Sequence, residues 1–259
     1  MSVGTSKKWP GPAGHRWRKA SRHFTRWHRD GAAPEEIQRV AADFFEALTA
    51  TLEEEPTAFG LERAMRAAGG RLVDALDALD REGPEVFGPL HGDSAEERFD
   101  AFLSGFVHQV AGASGLIGDA MVRRAVVGCG QRLLRNDSPV RDTVARGSTR
   151  RRPLGEKLFC EVYRLFFADV VRQLVATAIA AKVTLAVPVL AIIDPAGAVA
   201  EWAGDQAAKH ISDPCQERHK GAQGDGEDEA AALVELAHSL ITETVQRALG
   251  LPLDGKLAA

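Results

Sequence analysis

The chain has 259 residues, 45% of them hydrophobic and 26% charged, enough apolar material for a core that needs no disulfide framework or structural metal. Its three cysteines, Cys129, Cys160 and Cys215, are too few for a cysteine-rich secreted scaffold, and their odd number fits a reducing compartment. The net charge of −4 argues against a protein that coats nucleic acid with its whole surface, since the like charges of body and phosphate repel.

That charge is unevenly spread. Residues 1–30 hold Lys7, Lys8, Arg16, Arg18, Lys19, Arg22, Arg26 and Arg29 against the single acid Asp30, a local net of +7, so residues 31–259 carry −11. A basic arm therefore precedes an acidic body. Because the segment from Met1 to Asp30 has no apolar run of the kind a secretory signal needs, the expected location is the cytoplasm.

Trp9, Trp17, Phe24 and Trp27 lie among these cations. A helix from about Gly14 to Arg29 puts several of the aromatics on one side. Three readings follow. Aromatics interleaved with cations suit phosphate contact and base stacking, or an amphipathic helix lying on an anionic membrane. Alternatively the tryptophans dock on the body while the arginines stay solvated.

Beyond the arm, Pro34, Glu35 and Glu36 make a good first helical turn. Ile37, Val40, Phe44, Leu48 and Leu52 continue it as an apolar stripe that ends near Pro56. Leu61, Met65, Leu72, Leu76 and Leu79 mark a second helix, with Gly69 and Gly70 in its middle pointing to close packing or a kink. Gly83 to Gly92, with Pro84 and Pro89, reads as a loop. Ser94 and Glu97 form a capping box for a third helix carrying Phe99, Phe102, Leu103, Phe106 and Val110. Gly112 to Gly115 separate it from a fourth that runs to about Arg135.

Asn136 to Pro153 is polar, carries Arg141, Arg146, Arg150, Arg151 and Arg152, and is expected to be an exposed basic loop. From Leu154 a central helix follows, with Leu158, Val162, Leu165, Phe166, Val170 and Leu174 too broadly spread for a single stripe. Gln173 to Ile193 contains only one charge, Lys182, but Lys182 and Pro188 count against a membrane span. Val183 to Ile193 is rich in β-branched residues and has the only strand-like character in the chain. Asp194 and Pro195 start another helix with Val199 and Trp202. Asp213 to Asp228 reads as a charged loop, and Leu233, Leu236, Leu240, Thr244 and Ala248 give the terminal helix, closed by Gly250 and Pro252.

Chemistry-bearing patterns are sparse. Arg150, Arg151 and Arg152 could seat a phosphate, although charge runs usually mark a solvated loop. His210, Cys215 and His219 have a spacing compatible with metal ligands, but no second Cys or His pair completes a tetrahedral set, so neither metal nor cofactor is expected. Glu161, Arg164, Asp169 and Arg172 could line a polar groove, or form an ionic lattice along one helix. No phosphate-binding glycine loop, dinucleotide fingerprint, nucleophile elbow or HExxH pair is present.

These features predict an all-α protein, an irregular bundle of about seven helices with a basic N-terminal arm. Residues 1–30 form the arm and 31–259 one helical domain, with 136–153 as the place where it could divide into two subdomains. The expected function is that of a nonenzymatic interaction or regulatory protein whose partner is a protein. Alternatively the partner is nucleic acid or an anionic membrane, contacted through Arg16, Arg18, Lys19, Arg22 and Arg26, or through Arg150, Arg151 and Arg152. A helical enzyme with a small-molecule pocket between helices, using Glu161 or Asp169, is the third reading.

Overall fold

A computed structural model describes residues 15–31, 33–55, 60–112, 117–148, 152–183, 195–221, 229–251 and 253. Every regular element among them is helical, so the protein is all-α. Backbone contacts divide the chain into two units, one formed by residues 1–58 and 175–203, the other by 59–174 and 204–259. The 136–153 segment lies wholly within the second.

In the first unit, α1 (His15–Arg29) packs along α2 (Ile37–Glu54). The cause is a period of three and four residues in each helix. Trp17, Ala20, Phe24 and Trp27 are buried on one side of α1, and Val40, Phe44, Ala47 and Leu48 on the facing side of α2. Phe44 meets both Trp17 and Phe24 edge to face, with ring centroids 6.2 and 6.1 Å apart. Each such ring removes roughly 150–250 Å² from water, an upper bound of about 4–6 kcal/mol apiece. Of the three readings of the arm's aromatics, docking on the body is the one this packing supports. Trp9 lies outside the described residues.

The second unit is built on α3 (Leu61–Glu82), which packs against α4 (Ala95–Ala111), α5 (Ile117–Leu133) and α10 (Glu229–Ala248). Ser94 starts α4 with the expected capping box: its hydroxyl accepts from Glu97 N, and the Glu97 carboxylate accepts from Ser94 N. The 83–92 segment contains a short 3-10 turn, Pro84–Phe87, that sets Phe87 against Phe102 and Phe106. Of the two adjacent glycines in α3, Gly69 is the one at a close approach: a Cβ there would sit 2.8 Å from the Phe167 ring.

α7 (Glu156–Val183) is the central helix, and Leu158, Phe159, Val162, Tyr163, Phe166, Phe167, Val170, Val171 and Leu174 are all buried along it. Within that apolar surround Tyr163 and Thr244 share a hydroxyl hydrogen bond of 3.0 Å. Burial holds the phenol's pKa well above its ordinary value, so it stays neutral and hydrogen-bonding. Residues 184–194, where strand character and Pro188 were noted, lie outside the described residues. No described helix is long and apolar enough to cross a membrane.

Two segments expected to be loops are helical. α6 (Pro139–Ala145) occupies the middle of 136–153: the Ser138 hydroxyl accepts from Val140 N, Pro139 fills the first helical position, and Val140 and Val144 are buried one turn apart. α9 (Pro214–Gly221) occupies the start of 213–228 and follows α8 (Pro195–His210). Asp213 Oδ1 accepts from the backbone N–H groups of Cys215 and Gln216 at 3.0 and 3.4 Å. In both cases a Ser-Pro or Asp-Pro pair supplies the helix start, and the surrounding charges hide it.

Candidate functional site

α1 presents two opposite faces. With Trp17, Phe24 and Trp27 turned inward, Arg18, Arg22, Arg26 and Arg29 emerge on the outer side. Successive members are three or four residues apart, a rise of about 5–6 Å. The cations nearer α2 are already engaged: Lys19 Nζ lies 2.7 Å from Asp43 Oδ1, Arg16 Nε lies 3.6 Å from Glu46 Oε1, and the His23 ring pairs with the buried Asp43 carboxylate. Arg29 faces the exposed Asp30 at 3.2 Å. Among the described residues, no carboxylate pairs with Arg18, Arg22 or Arg26.

Ser21, Arg22, Thr25, Arg26 and Arg29 border a shallow hollow of about 340 Å³ on this outer face. The Arg22 and Arg26 guanidiniums at this depression match the donor chemistry of a phosphate, whereas Thr25 donates its hydroxyl to Ser21 O at 2.8 Å and Arg29 faces Asp30. The buried aromatics, by contrast, are no longer available to stack on bases or to enter a bilayer.

The second basic segment is used differently. Arg141 donates to Leu134 O at 3.0 Å and lies 4.7 Å from the Phe99 ring centroid. Arg146 and Arg152 both face Asp142, at 3.8 and 3.2 Å. Arg150 and Arg151 lie outside the described residues. The described arginines here tie α6 to its surroundings.

A larger groove, of about 910 Å³, lies in the second unit along α7, the C-terminal part of α8, and α9. Glu161, Arg164 and Arg172 line it, whereas Asp169 is not among its lining residues. Glu161 is gripped by Arg132, whose Nε and Nη2 donate to its two oxygens at 2.5 and 2.6 Å. Asp169 instead accepts from Arg172 on its own helix. The four charges read together from the sequence therefore do not converge on one point.

At the α9 end of the groove Cys160 and Cys215 are joined in a disulfide with a Cα–Cα distance of 6.1 Å. The two cysteines lie 55 residues apart, a pairing that no local spacing around Cys215 records. Asp213 stands beside the pair, receives Arg164 Nη1 at 3.3 Å on Oδ2, and caps α9 through Oδ1. His219, one turn after Cys215, also lines the groove. His210, exposed at the end of α8, does not. The remaining cysteine, Cys129, is buried beneath α7, and desolvation first, then the Asp169 charge, holds its thiol strongly protonated. With its sulfurs joined, the groove presents no hydroxyl or thiol nucleophile among its described lining residues.

No family model, curated protein or solved structure matches this chain.

Proposed function

We propose that the protein is a nonenzymatic helical interaction protein that contacts a phosphate-bearing polyanion, in the first place a nucleic-acid duplex, through the outer face of α1. The observation that carries this reading is the row Arg18, Arg22 and Arg26, exposed and without a carboxylate partner among the described residues. Neighbouring cations on the same helix do have partners, as do Arg146 and Arg152. The partnered cations serve the fold, and the unpartnered row is free to meet phosphates.

A duplex fits better than a bilayer. Membrane-surface helices draw much of their affinity from an apolar face buried among lipid chains, and here that face covers α2. A rigid cationic row needs only a rigid anionic one. The contact is sequence-independent, because guanidiniums aimed at phosphates read no base edges. A cytoplasmic setting belongs to the same reading, and there the Cys160–Cys215 pair would stand reduced.

The test compares the full chain with an Arg18→Gln/Arg22→Gln/Arg26→Gln variant by titration with a DNA duplex, an RNA duplex and anionic vesicles at several salt concentrations. Three phosphate contacts give a logarithmic salt slope of roughly −3 on duplex DNA, and their loss removes about 0.9 for each arginine. Melting should be unchanged, since the three side chains point to solvent. Duplex binding with the same slope in the variant would overturn the reading, and binding to vesicles alone would replace the duplex with a membrane surface.

A further inference from the structure

The disulfide region has chemistry that the polyanion reading does not use. Cys160 Sγ, Cys215 Sγ and an Asp213 carboxylate oxygen lie within 4.8 Å of one another. They come from different places: α7 supplies Cys160, the segment before α9 supplies Asp213, and the first turn of α9 supplies Cys215. His219 follows Cys215 by four residues on α9, so the two share one helix face, and both border the same groove.

We infer that, when the disulfide is reduced, Cys160, Cys215, Asp213 and His219 bind one thiophilic divalent ion, with zinc as the chemically matched choice, and that the disulfide is the metal-free oxidised form of the same site. Two thiolates, an imidazole and a carboxylate are the ligand types of four-coordinate zinc. Two sulfurs on one zinc, each about 2.3 Å from it, sit about 3.8 Å apart. The backbone already brings the two Cα atoms to 6.1 Å, so moving from disulfide to shared ion asks for side-chain rotation and leaves the helices where they are.

The surroundings suit a bound ion. Asp213 is held in place by the two α9 N–H groups on Oδ1. Oδ2 receives only Arg164 among the described residues and keeps a lone pair for the metal. Two thiolates, one carboxylate and a divalent cation sum to one negative charge, which the Arg164 guanidinium offsets from the outer shell. Glu156 Oε1 lies 3.5 Å from His219 Nε2. A hydrogen bond from Nε2 to that carboxylate in the metal-bound form would leave Nδ1 as the ligand atom. The His219 side chain is 69% exposed, so it has the freedom to turn toward the sulfurs.

The chemistry balances in two steps. A dithiol reductant passes two electrons and two protons to the Cys160–Cys215 bond and itself becomes a disulfide. The metal then displaces both thiol protons as the two sulfur–metal bonds form. In reverse, two protons replace the metal on the sulfurs and a disulfide oxidant takes up two electrons and those two protons as the Cys160–Cys215 bond re-forms, so metal content follows the thiol state of α7 and α9.

The experiment uses the full chain, reduced by a phosphine under anaerobic conditions and titrated with Co²⁺, then with Zn²⁺. The expected result is one Co²⁺ per chain, thiolate-to-cobalt charge-transfer absorption with the strong visible bands of a tetrahedral ion, and displacement by Zn²⁺. Alkylation followed by peptide mass mapping should show Zn²⁺ protecting Cys160 and Cys215. Cys129→Ser should behave like the parent. Cys160→Ser and Cys215→Ser should each lose the two-thiolate spectrum, and His219→Ala should bind more weakly by at least the roughly tenfold that even an outer-shell partner contributes. The oxidised chain should bind none. Reduced parent chain without charge-transfer absorption would overturn the inference whatever the folding of the variants, as would an unaltered spectrum in either Ser variant or protection confined to Cys129. Unchanged affinity in His219→Ala would overturn its place among the ligands.

Discussion

Trp17 on α1 donates its indole N–H to Thr51 Oγ1 on α2 at 2.8 Å, and Thr51 in turn donates to Ala47 O at 2.8 Å. A buried tryptophan is thereby fixed at both ends, its ring against Phe44 and its polar atom to the neighbouring helix. The basic arm is a packed helix as well as a charged surface. Because Trp17, Phe24 and Trp27 are buried against α2, deleting residues 1–30 should destabilise the chain as well as remove its cations. Trp17→Ala should lower stability by about 3–5 kcal/mol, with Trp17→Phe losing less because most of the ring contact survives. Denaturant unfolding followed by helical signal measures both. A Trp17→Ala chain as stable as the parent would contradict the α1–α2 packing.

Lys19 makes the same interface sensitive to alkali. Its ammonium has a pKa raised above 10.5, first by the hydrogen bond to Asp43 and then by that carboxylate's charge. A raised folded-state value means that the Lys19 contribution is fully present below about 10.5 and is lost as the pH climbs through the folded value. Melting temperatures across the range from neutral to strongly alkaline should show a decrement in the parent that is smaller in Lys19→Met. Equal decrements would show that Lys19 contributes nothing to stability through Asp43.

At the start of α4 the opposite sign applies. Glu97 is held below its ordinary 4.5, first by the N–H of Ser94 and then by that of Asp93. Its contribution is therefore present above 4.5 and disappears as the pH falls through the lowered value. Ser94→Ala removes the hydroxyl that accepts from Glu97 N and should cost about 1 kcal/mol at neutral pH. Glu97→Gln should flatten part of the acid side of the stability profile, which chemical denaturation at stepped pH can resolve.

How far the sequence can be read depends on the range of the signal. The Ser94–Glu97 cap and the long apolar periods of α2, α3, α4, α7 and α10 are local, and each was legible. So was α1, whose aromatics recur at helical spacing, although three partners remained open for them until α2 supplied Phe44 and Thr51. α6 carried its own evidence in Ser138, Pro139, Val140 and Val144, but five arginines between 141 and 152 made the segment resemble a solvated loop. α9 has an Asp-Pro start and almost no apolar face. The candidate metal site was only half legible: Cys215 and His219 share a local spacing, while Cys160 reaches them through the packing of α7, which no spacing along the chain records. His210, included by spacing, is the last residue of α8 and falls outside the groove.

Two adjacent glycines on α3 give the sharpest contrast. Both are helix-interior residues, where glycine is less favourable than alanine by about 1 kcal/mol. Propensity alone therefore predicts that Gly69→Ala and Gly70→Ala stabilise equally. Packing separates them. A Cβ at Gly70 meets nothing within 4 Å, whereas a Cβ at Gly69 would lie 2.8 Å from Phe167 Cζ and 3.5 Å from Ile241 Cγ2. Phe167 has no exposed surface and is wedged against Tyr163 and Phe166 at centroid distances of 5.0 and 4.9 Å, so the ring has nowhere to withdraw. Overpacking a well-filled core typically costs 1–3 kcal/mol, which exceeds the propensity gain. Gly70→Ala should raise stability by roughly 0.4–1 kcal/mol, and Gly69→Ala should lower it by up to about 2 kcal/mol net of that gain. The pair is measured by equilibrium denaturation, and Phe167→Leu is added to Gly69→Ala to make room for the methyl group. Partial recovery in the double variant would place the strain at the Phe167 ring, and a Gly69→Ala chain at least as stable as Gly70→Ala would mean that α3 and α7 do not approach each other as closely as described.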